Sequence, residues 1–299
     1  MNDLPRIICI AGPTGSGKTS AALHLAQELQ KKGLPADIIN ADSRQVYKDF
    51  PVITAQPAEQ ERAVCAHKLY GWLPSDQKIS AGEWARLALK DVEESLGEHH
   101  VPILVGGTGF YLKALLDGIA SIPPADPMIT QKLMETCNEK GLKLLYDRLV
   151  MEDPSYAQKI HPNDKQRIIR ALEVLETTGQ PFSWWHRQTA PPAPFNILRL
   201  GVGLPLSELT PMLSHRIDDM LNHGAIEEAR QARQQCSDMS APAWSGIGCM
   251  ELAQFLLNNI TLEEAKALWL SNTRAYAKRQ WTLRGVYHEM CQVKKKPAS

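Results

Sequence analysis

A glycine-rich segment near the start of the chain has the spacing of a phosphate-binding loop. It matches the pattern G-x-x-x-x-G-K-[ST] through Gly12, Pro13, Thr14, Gly15, Ser16, Gly17, Lys18 and Thr19. Glycines in this pattern let successive backbone N–H groups turn toward a phosphate, and the dipole of a following helix adds positive potential. Lys18 supplies a positive charge, and the Thr19 hydroxyl can ligate Mg²⁺. The pattern predicts a polyphosphate site, but not whether the phosphate belongs to a nucleotide or to another diphosphate.

Asp42 is an acidic residue placed where a strand is expected to end. It follows the apolar residues 38–39, and in a doubly wound sheet the carboxyl end of a strand opens onto the ligand crevice. A carboxylate there can be a metal ligand, a general base or a helix N-cap, and the residues leave all three roles open. The apolar segment 101–105 runs into Gly106 and Gly107 instead. It therefore lacks the second acidic Mg²⁺ ligand that a nucleotide kinase or GTPase places at a strand end.

Alternating strand and helix patterns surround these motifs. Short apolar segments rich in β-branched residues predict strands, and longer amphipathic segments predict helices. The strands are expected at 6–11, 36–40 and 101–105, and the helices at 19–32 and 81–96. This alternation favours an α/β fold of the P-loop NTPase type, with a parallel sheet core flanked by helices.

The pattern changes after Gly118 and becomes almost wholly helical from 128 to 179. Proline-rich segments at 123–127 and 191–194 flank this region and are interpreted as hinges. Beyond them the pattern predicts one strand and three helical stretches, at 197–202 and at about 206–235, 250–258 and 261–287. The expected domains are a P-loop core of residues 1–118 and 196–299 and an inserted all-helical domain, 119–195.

Composition narrows the class of protein. The chain has 33 Lys and Arg against 33 Asp and Glu, with 43% hydrophobic and 22% charged residues, the balance of a soluble globular protein. Its 6 cysteines lie far apart, and no apolar run approaches the ~18 residues of a membrane span. These features exclude a disulfide scaffold, a zinc finger and a membrane protein, and they favour the cytoplasm.

Basic residues form two clusters in this chain of zero net charge. One lies in 271–299, where only Glu289 is acidic and the basic residues are Arg274, Lys278, Arg279, Arg284, Lys294, Lys295 and Lys296. Lys165, Arg167 and Arg170 form the other cluster on an expected helix. Local positive patches let a neutral protein bind a polyanion such as nucleic acid. A solvated helix face is the alternative interpretation of Arg167 and Arg170.

Taken together, the motifs resemble those of the tRNA dimethylallyltransferases, also called tRNA isopentenyltransferases. The resemblance covers nearly the whole chain and lies in 12–19, 42–47, 54–57, 105–112, 161–173 and 276–280, with Arg216, Met220 and Gly224 on one helix. The segment 161–173, HPNDKQRIIRALE, is very specific. Because several separate motifs occur in the same order, the chain is identified as a member of this family.

The resemblance implies transfer of a dimethylallyl group from dimethylallyl diphosphate to N6 of adenosine 37 in tRNA. In that family the phosphate loop holds the isoprenoid diphosphate rather than ATP, and Thr19 matches the Mg²⁺ position. Asp42 matches the position of the general base, and Thr108 and Arg216 match residues that stabilise the leaving diphosphate. A monomer is expected, because the tRNA must wrap around the insertion.

The resemblance also implies contacts with the tRNA anticodon arm. They fall on Asp42, Ser43, Arg44, Gln45, Gln166, Arg167, Ile168, Ile169, Arg170, Lys278, Arg279 and Arg284. Met250 and Thr130 stand where family members place basic residues, and the C-terminal motif that begins at Gln280 is one residue shorter than usual. We therefore expect weaker or narrower tRNA binding than in the relatives.

Three other functions fit parts of the sequence. A phosphate-loop kinase would transfer a phosphoryl group or hydrolyse ATP, and would need no isoprenoid. An adenylate isopentenyltransferase would alkylate free AMP, but the segment 161–170 and the basic C-terminus argue against it. An RNA-binding protein with a decayed active site would have lost site residues, whereas Lys18, Asp42, Thr108 and Arg216 are all present.

Overall fold

The structure, a computed structural model, describes residues 6–124, 126–188, 192–282 and 291–292. Two units make up the chain, one of Met1–Leu115 with Pro194–Ser299 and one of Leu116–Ala193. Their boundaries lie close to the expected ones after residues 118 and 195. Of the two expected hinges, Ala125 and Pro191 lie outside the described residues.

The first unit contains a parallel sheet. Its strands are β1 (Arg6–Ala11), β2 (Ala36–Asn40), β3 (His67–Lys68), β4 (Val101–Gly106), β5 (Asn196–Gly201) and β6 (Cys291–Gln292). Their order is β3-β2-β4-β1-β5-β6, and every pairing is parallel. Ile8 on the central β1 pairs with Ile103 on one side and with Leu198 on the other. Helices cover both faces of such a sheet, so its inner strands are continuous apolar runs, and this confirms the predicted α/β fold.

Helices make up most of the remaining described residues. In chain order they are α1 (Lys18–Lys31), α2 (Glu59–Arg62), α3 (Ala81–Gly97), α4 (Gly109–Leu116), α5 (Pro127–Lys140), α6 (Leu142–Glu152), α7 (Pro154–Ala157), α8 (Lys165–Thr178), α9 (Phe182–Arg187), α10 (Leu206–Asn222), α11 (Ala225–Gln235), α12 (Cys249–Leu256) and α13 (Leu262–Thr282), with a 3-10 turn at Pro242–Ser245. Across the described ranges, none of them is long and apolar enough to cross a membrane.

The helical stretch predicted at about 206–235 consists of two helices. α10 ends at Asn222, and α11 begins at Ala225. Between them Gly224 has a φ of 94°, in the left-handed region that glycine adopts without a Cβ penalty. The amphipathic pattern continues across this break, which is why periodicity alone did not locate it.

Helix α3 is fixed at its first turn beside the carboxyl end of β2. Ser80 and Glu83 form a reciprocal capping box, since each side chain accepts a hydrogen bond from the backbone N–H of the other residue (3.1 and 2.9 Å). One turn in, the buried Trp84 donates its indole N–H to the Asn40 carbonyl (3.0 Å) and stacks on Tyr111 with ring centroids 4.6 Å apart. These contacts hold the end of β2, and therefore the turn that carries Asp42, against α3 and α4.

The second unit has its own hydrophobic core. Buried side chains of α5, α6 and α8 form it, among them Leu133, Leu145, Leu149, Ile168 and Leu172. Asp164 caps α8 by accepting a hydrogen bond from the Arg167 backbone N–H (3.1 Å), and Gly179 ends that helix with a φ of 70°. The unit therefore presents α8 as a fixed helix with one buried face.

Gly106→Ala tests the close approach of β4 to β2. A Cβ at Gly106 would lie 2.1 Å from the Ala41 carbonyl oxygen, a backbone atom that cannot move aside without shifting β2. We expect a loss of about 2 kcal/mol or more in the free energy of unfolding. Gly97→Ala is the control, because a Cβ there meets nothing within 4 Å and alanine favours the helix. Equal urea midpoints for the two variants would contradict this account.

Candidate active site

The phosphate-loop motif forms one turn between β1 and α1. Gly15 and Gly17 have φ values of 76° and 88°, which turn the backbone N–H groups of the loop inward. In the part of the chain that the structure describes, the N–H groups of Gly15, Gly17, Lys18 and Thr19 donate to no acceptor. The buried Ser16 hydroxyl has no partner either. A loop with this many unused donors is suited to binding an anion.

Two cations stand near this loop. The Lys18 ammonium donates to the Pro13 carbonyl (2.8 Å), and burial with the nearby Arg216 lowers the pKa of Lys18 to about 8, although Asp42 opposes that shift. Burial also lowers the pKa of Arg216, again against the effect of Asp42. Within the described ranges, neither cation has a carboxylate at ion-pair distance. The site thus carries positive charge that its own carboxylates do not neutralise.

Asp42 lies in the turn that follows β2. Its Oδ1 atom accepts the Arg44 backbone N–H (2.8 Å), and the Asn40 side chain bonds to both its N–H and its carbonyl (2.8 and 3.0 Å). The next helix begins only at Glu59, so the helix N-cap interpretation of Asp42 is wrong. Its Oδ2 atom accepts no hydrogen bond from any residue that the structure describes. Asp42 is therefore held in place through one oxygen and has the other available.

A cavity of about 260 Å³ opens beside this turn. Its polar lining includes Asp42, Arg44, Arg216 and Arg279, and its apolar lining includes Ile53, Leu213, Ile217 and Trp269. The predicted Asp42 and Arg216 thus share one cavity, with Thr14 of the phosphate loop at its edge. The sequence predicted Asp42 and Arg216 as site residues. It did not predict the apolar wall, which comes from the segment at Ile53 and from α10 and α13.

Thr108 joins the turn after β4 to the turn after β2. Its hydroxyl accepts the Ser43 backbone N–H (3.0 Å) and donates to the Ser43 hydroxyl (3.3 Å). Tyr276 of α13 lies next to both Thr108 and Asp42, and burial raises the pKa of its phenol to about 12. Tyr276 also lines the cavity, yet the sequence analysis gave it no role.

Arg44 and Gln45, both predicted to contact tRNA, hold neighbouring loops. Arg44 donates through Nη1 to the Pro242 carbonyl (3.2 Å) and to the Ser245 hydroxyl (2.7 Å). Gln45 donates to the carbonyls of Thr54 (3.0 Å) and Ala55 (2.6 Å). Arg44 still reaches the cavity, so its proposed contact with a ligand stays a prediction, as does that of Gln45.

The predicted tRNA-binding residues of α8 separate into two groups. Gln166 and Arg167 are exposed, and Arg170 is half-buried with one hydrogen bond to the Pro123 carbonyl (3.1 Å). Ile168 and Ile169 are only 0% and 6% exposed, because they belong to the core of the second unit. The side chains of these two isoleucines are therefore not exposed to a ligand, and the contact of this stretch with tRNA stays a prediction.

The C-terminal basic residues are described only in part. Lys278 and Arg279 are exposed on α13, and the Arg279 guanidinium lies 5.7 Å from the centroid of the Tyr276 ring. Arg284 and the lysines at 294–296 lie outside the described residues. The predicted nucleic-acid contacts on α13 therefore rest on two residues of known position.

Glu228 of α11 supports the cavity and was missed by the sequence analysis. Its carboxyl oxygens accept the backbone N–H groups of Val52 (2.6 Å) and Ile53 (2.8 Å). Burial raises the pKa of Glu228 to about 7, although these hydrogen bonds oppose the shift. Since Ile53 lines the cavity, Glu228 fixes part of its wall. The partners are separated by 175 and 176 positions, so no local pattern marks them.

Fold and site together define the class: an α/β protein with a phosphate-binding loop and a charged cavity at the carboxyl edge of its sheet. The IPP transferase family profile matches residues 45–284. The chain is 54% identical to the tRNA dimethylallyltransferase of Nitratidesulfovibrio vulgaris (strain Miyazaki F), across 93% of this chain and 85% of that protein. It is 38% identical to the enzyme of the same name from Nitrobacter hamburgensis, across 92% and 86%. The chain belongs to this family of transferases.

Solved structures agree with this assignment. A eukaryotic dimethylallyltransferase that acts on tRNA superposes with a TM-score of 0.82 at 28% identity, over 97% of this chain and 73% of that one. The tRNA isopentenylpyrophosphate transferase of Bacillus halodurans gives a TM-score of 0.67 at 30% identity, over 96% and 89%. The fold of the chain is therefore that of the tRNA isopentenyltransferases.

Glu228→Gln should remove a pH dependence of stability. The pKa of Glu228 rises from 4.5 to about 7 in the folded chain, so the folded state binds the extra proton between these values. The resulting stabilisation is complete below pH 4.5 and is lost as the pH rises through 7. Relative to the variant, the wild-type free energy of unfolding should fall by on the order of 2 kcal/mol across this window.

Urea titrations at a series of pH values measure this difference. Glu227→Gln changes the exposed neighbouring residue on α11 and is the matched control. Parallel pH curves for wild type and Glu228→Gln would show that folding does not raise the pKa of Glu228.

Proposed function

We propose that this chain transfers the dimethylallyl group of dimethylallyl diphosphate to N6 of adenosine 37 in tRNA, giving N6-(dimethylallyl)adenosine and diphosphate. The observation that carries the proposal is that Asp42 and Arg216 face one cavity beside a phosphate loop with unused N–H donors. The relatives are named tRNA dimethylallyltransferases, which supports the same reaction.

The diphosphate is the ligand that this loop fits best. The negatively charged diphosphate would meet the free N–H groups of the loop, the Lys18 ammonium and the Arg216 guanidinium. Lys18 would exchange its bond to the Pro13 carbonyl for one to a phosphate oxygen. As the carbon–oxygen bond breaks, charge grows on the diphosphate, and these groups then stabilise the transition state more than the ground state.

Thr19 is the residue proposed to hold Mg²⁺. It lies in the first turn of α1, directly after Lys18, and its half-buried hydroxyl makes no hydrogen bond to a described residue. Mg²⁺ commonly keeps several waters and binds one or two protein oxygens together with substrate phosphates, so a single hydroxyl fits it. The ion would supply further neutralisation of charge on the diphosphate.

Asp42 is proposed as the base. The N6 lone pair attacks C1 of the dimethylallyl group, the new N–C bond forms, and the C1–O bond electrons leave with the diphosphate. Positive charge on N6 makes its proton acidic, so a carboxylate within hydrogen-bond reach suffices to accept it. The available Oδ2 atom is suited to this role, and Ile53, Ile217 and Trp269 give the cavity an apolar wall for the five-carbon group.

The nucleic acid is proposed to meet exposed basic residues of both units. Arg167 lies on α8 of the second unit, whereas Lys278 and Arg279 lie on α13 of the first. Extruding an adenine from its stack costs a few kcal/mol, which extensive backbone contacts would offset. We further propose that the enzyme acts as a monomer in the cytoplasm.

Asp42→Asn tests the role of Asp42 as a base while leaving the rest of the site unchanged. Asparagine keeps an oxygen that can accept the Arg44 N–H but is a far poorer proton acceptor, so kcat should fall roughly 100-fold or more. The assay follows labelled dimethylallyl diphosphate onto an unmodified anticodon stem-loop. Asp49→Asn is the control, because its carboxylate bonds only to Ser75 among the described residues. Full activity of Asp42→Asn would remove Asp42 from this role, and ATP hydrolysis without alkylation by wild type would favour the kinase alternative.

Arg167→Gln should weaken tRNA binding without affecting the isoprenoid. Its side chain is 63% exposed and, among the residues that the structure describes, forms an ion pair only with Asp164 (3.2 Å), so removing the charge should raise KM for tRNA a few-fold. The slope of log KM against log salt should change by about one phosphate contact. Lys143→Gln is the control, since it removes an exposed cation paired within α6 of the same unit. A rise in KM for dimethylallyl diphosphate instead would contradict a tRNA contact.

A further inference from the structure

Gln280 of α13 bridges two loops at the edge of the proposed diphosphate site. Its side chain is buried, with 2% exposure, in a helix that otherwise presents Lys278 and Arg279 to solvent. Its Oε1 atom accepts the Thr14 backbone N–H (2.8 Å), and its Nε2 atom donates to the Gly107 carbonyl (2.9 Å). These partners lie 266 and 173 positions away along the chain.

The carboxamide of Gln280 can bond to both partners at once, because it has one oxygen acceptor and one nitrogen donor. One partner is a backbone donor and the other a backbone acceptor, so the side chain must accept and donate at the same time. Glutamate cannot donate when ionised, and lysine cannot accept. Because Thr14 offers an N–H donor and Gly107 a carbonyl acceptor, the Gln280 oxygen must face Thr14 and its nitrogen must face Gly107.

Gly107 allows this contact because it has no side chain. A Cβ there would lie 2.2 Å from Nε2 of Gln280 and 3.0 Å from the Gly12 carbonyl oxygen. The second glycine of the Gly106-Gly107 pair therefore makes room for α13, whereas Gly106 makes room for β2.

The Pro13–Thr14 peptide is held at both ends by this arrangement. Its N–H donates to Gln280, and its carbonyl accepts from the Lys18 ammonium (2.8 Å) and from the Ser16 N–H (3.3 Å). Rotation of this peptide would move the carbonyl that holds Lys18 and would turn the Thr14 N–H into the loop. Gln280 therefore acts on Lys18 through one peptide plane.

We propose that Gln280 is a positioning residue: it fixes the Pro13–Thr14 peptide against the Gly107 loop and so sets the phosphate loop and Lys18 for the diphosphate. The inference rests on the proposed diphosphate site. It predicts that loss of Gln280 weakens diphosphate binding selectively and leaves the recognition of tRNA unchanged.

Gln280→Ala and the nearly isosteric Gln280→Met are the test variants. Either removes two hydrogen bonds and leaves Thr14 and Gly107 unpaired, so the Kd of inorganic diphosphate with Mg²⁺ should rise about tenfold by titration calorimetry. KM for dimethylallyl diphosphate should rise by a similar factor, and KM for tRNA should change less than about twofold. If alanine prevents folding, the methionine variant carries the test.

A double-mutant cycle with Gly107→Ala tests whether Gly107 and Gln280 affect diphosphate binding through the same contact. Gly107→Ala should weaken diphosphate binding because its Cβ displaces Gln280, and combining it with Gln280→Ala should add little. Independent effects would instead multiply to about 100-fold and would overturn the proposal. Ser95→Ala is the control: it removes a buried hydroxyl bonded to Asp37 (2.7 Å), far along the chain from these loops, and should lower Tm without changing the Kd of diphosphate.

Different outcomes would contradict the positioning role of Gln280 and the proposed function. If wild type binds diphosphate and the Gln280 variants bind it equally well, the positioning role is wrong and the proposed function stands. If wild type binds no diphosphate while it alkylates nothing, both are overturned. Equal rises in KM for both substrates would reduce Gln280 to a general structural residue and would also overturn the proposal.

Discussion

The local excess of positive charge at Lys18 and Arg216 is the constraint on which the rest of the site depends. Burial lowers the pKa of both groups, and the nearby Arg216 further disfavours the charged form of Lys18. Asp42 opposes both shifts but lies outside ion-pair distance of either cation. A multivalent anion would relieve this cost, because it would pair with both groups at once. Binding of such an anion would therefore stabilise the folded protein.

The fold concentrates these charges by bringing the ends of parallel strands to one edge. The turns after β1, β2 and β4 carry the phosphate loop, Asp42 and Thr108. Hydrogen bonds of Thr108 to Ser43 and Ala41 join the turns after β2 and β4, and Gln280 joins the turn after β4 to the phosphate loop. Glycines at strand ends make this closeness sterically possible, since a side chain at Gly106 or Gly107 would occupy the place of Ala41 or Gln280. Helix α13 then packs against these turns, where its Gln280 bonds to Thr14 and Gly107.

Local patterns were sufficient for part of this structure. Apolar runs located β1, β2, β4 and β5. The strands β1, β2 and β4 are buried along most of their length, and such strands lack the regular polar alternation of half-exposed strands. The strands β3 and β6 have two residues each and are too short to leave a pattern. Gly224 interrupts a continuous amphipathic stretch, so only its backbone conformation reveals the break.

Site residues divide in the same way. The phosphate loop is contiguous and was predicted whole, whereas Glu228 and Gln280 act on backbone groups more than 170 positions away. The resemblance placed Ile168 and Ile169 among the tRNA contacts, but a sequence motif does not distinguish residues that bind a ligand from residues that pack in the core. Burial shows that these two isoleucines anchor α8, while the exposed Arg167 beside them is free to meet a ligand.

The division of work between the cations and Asp42 also explains why a single carboxylate can serve as base. A carboxylate could not deprotonate a neutral exocyclic amine, because such an amine is a very weak acid. In the proposed reaction it need not, because the N6 proton becomes acidic only as the N–C bond forms. The progress of that bond depends on how well the departing diphosphate is stabilised. In the proposed reaction the cations would therefore control the barrier, and the base would complete a proton transfer that the loss of diphosphate has already made favourable.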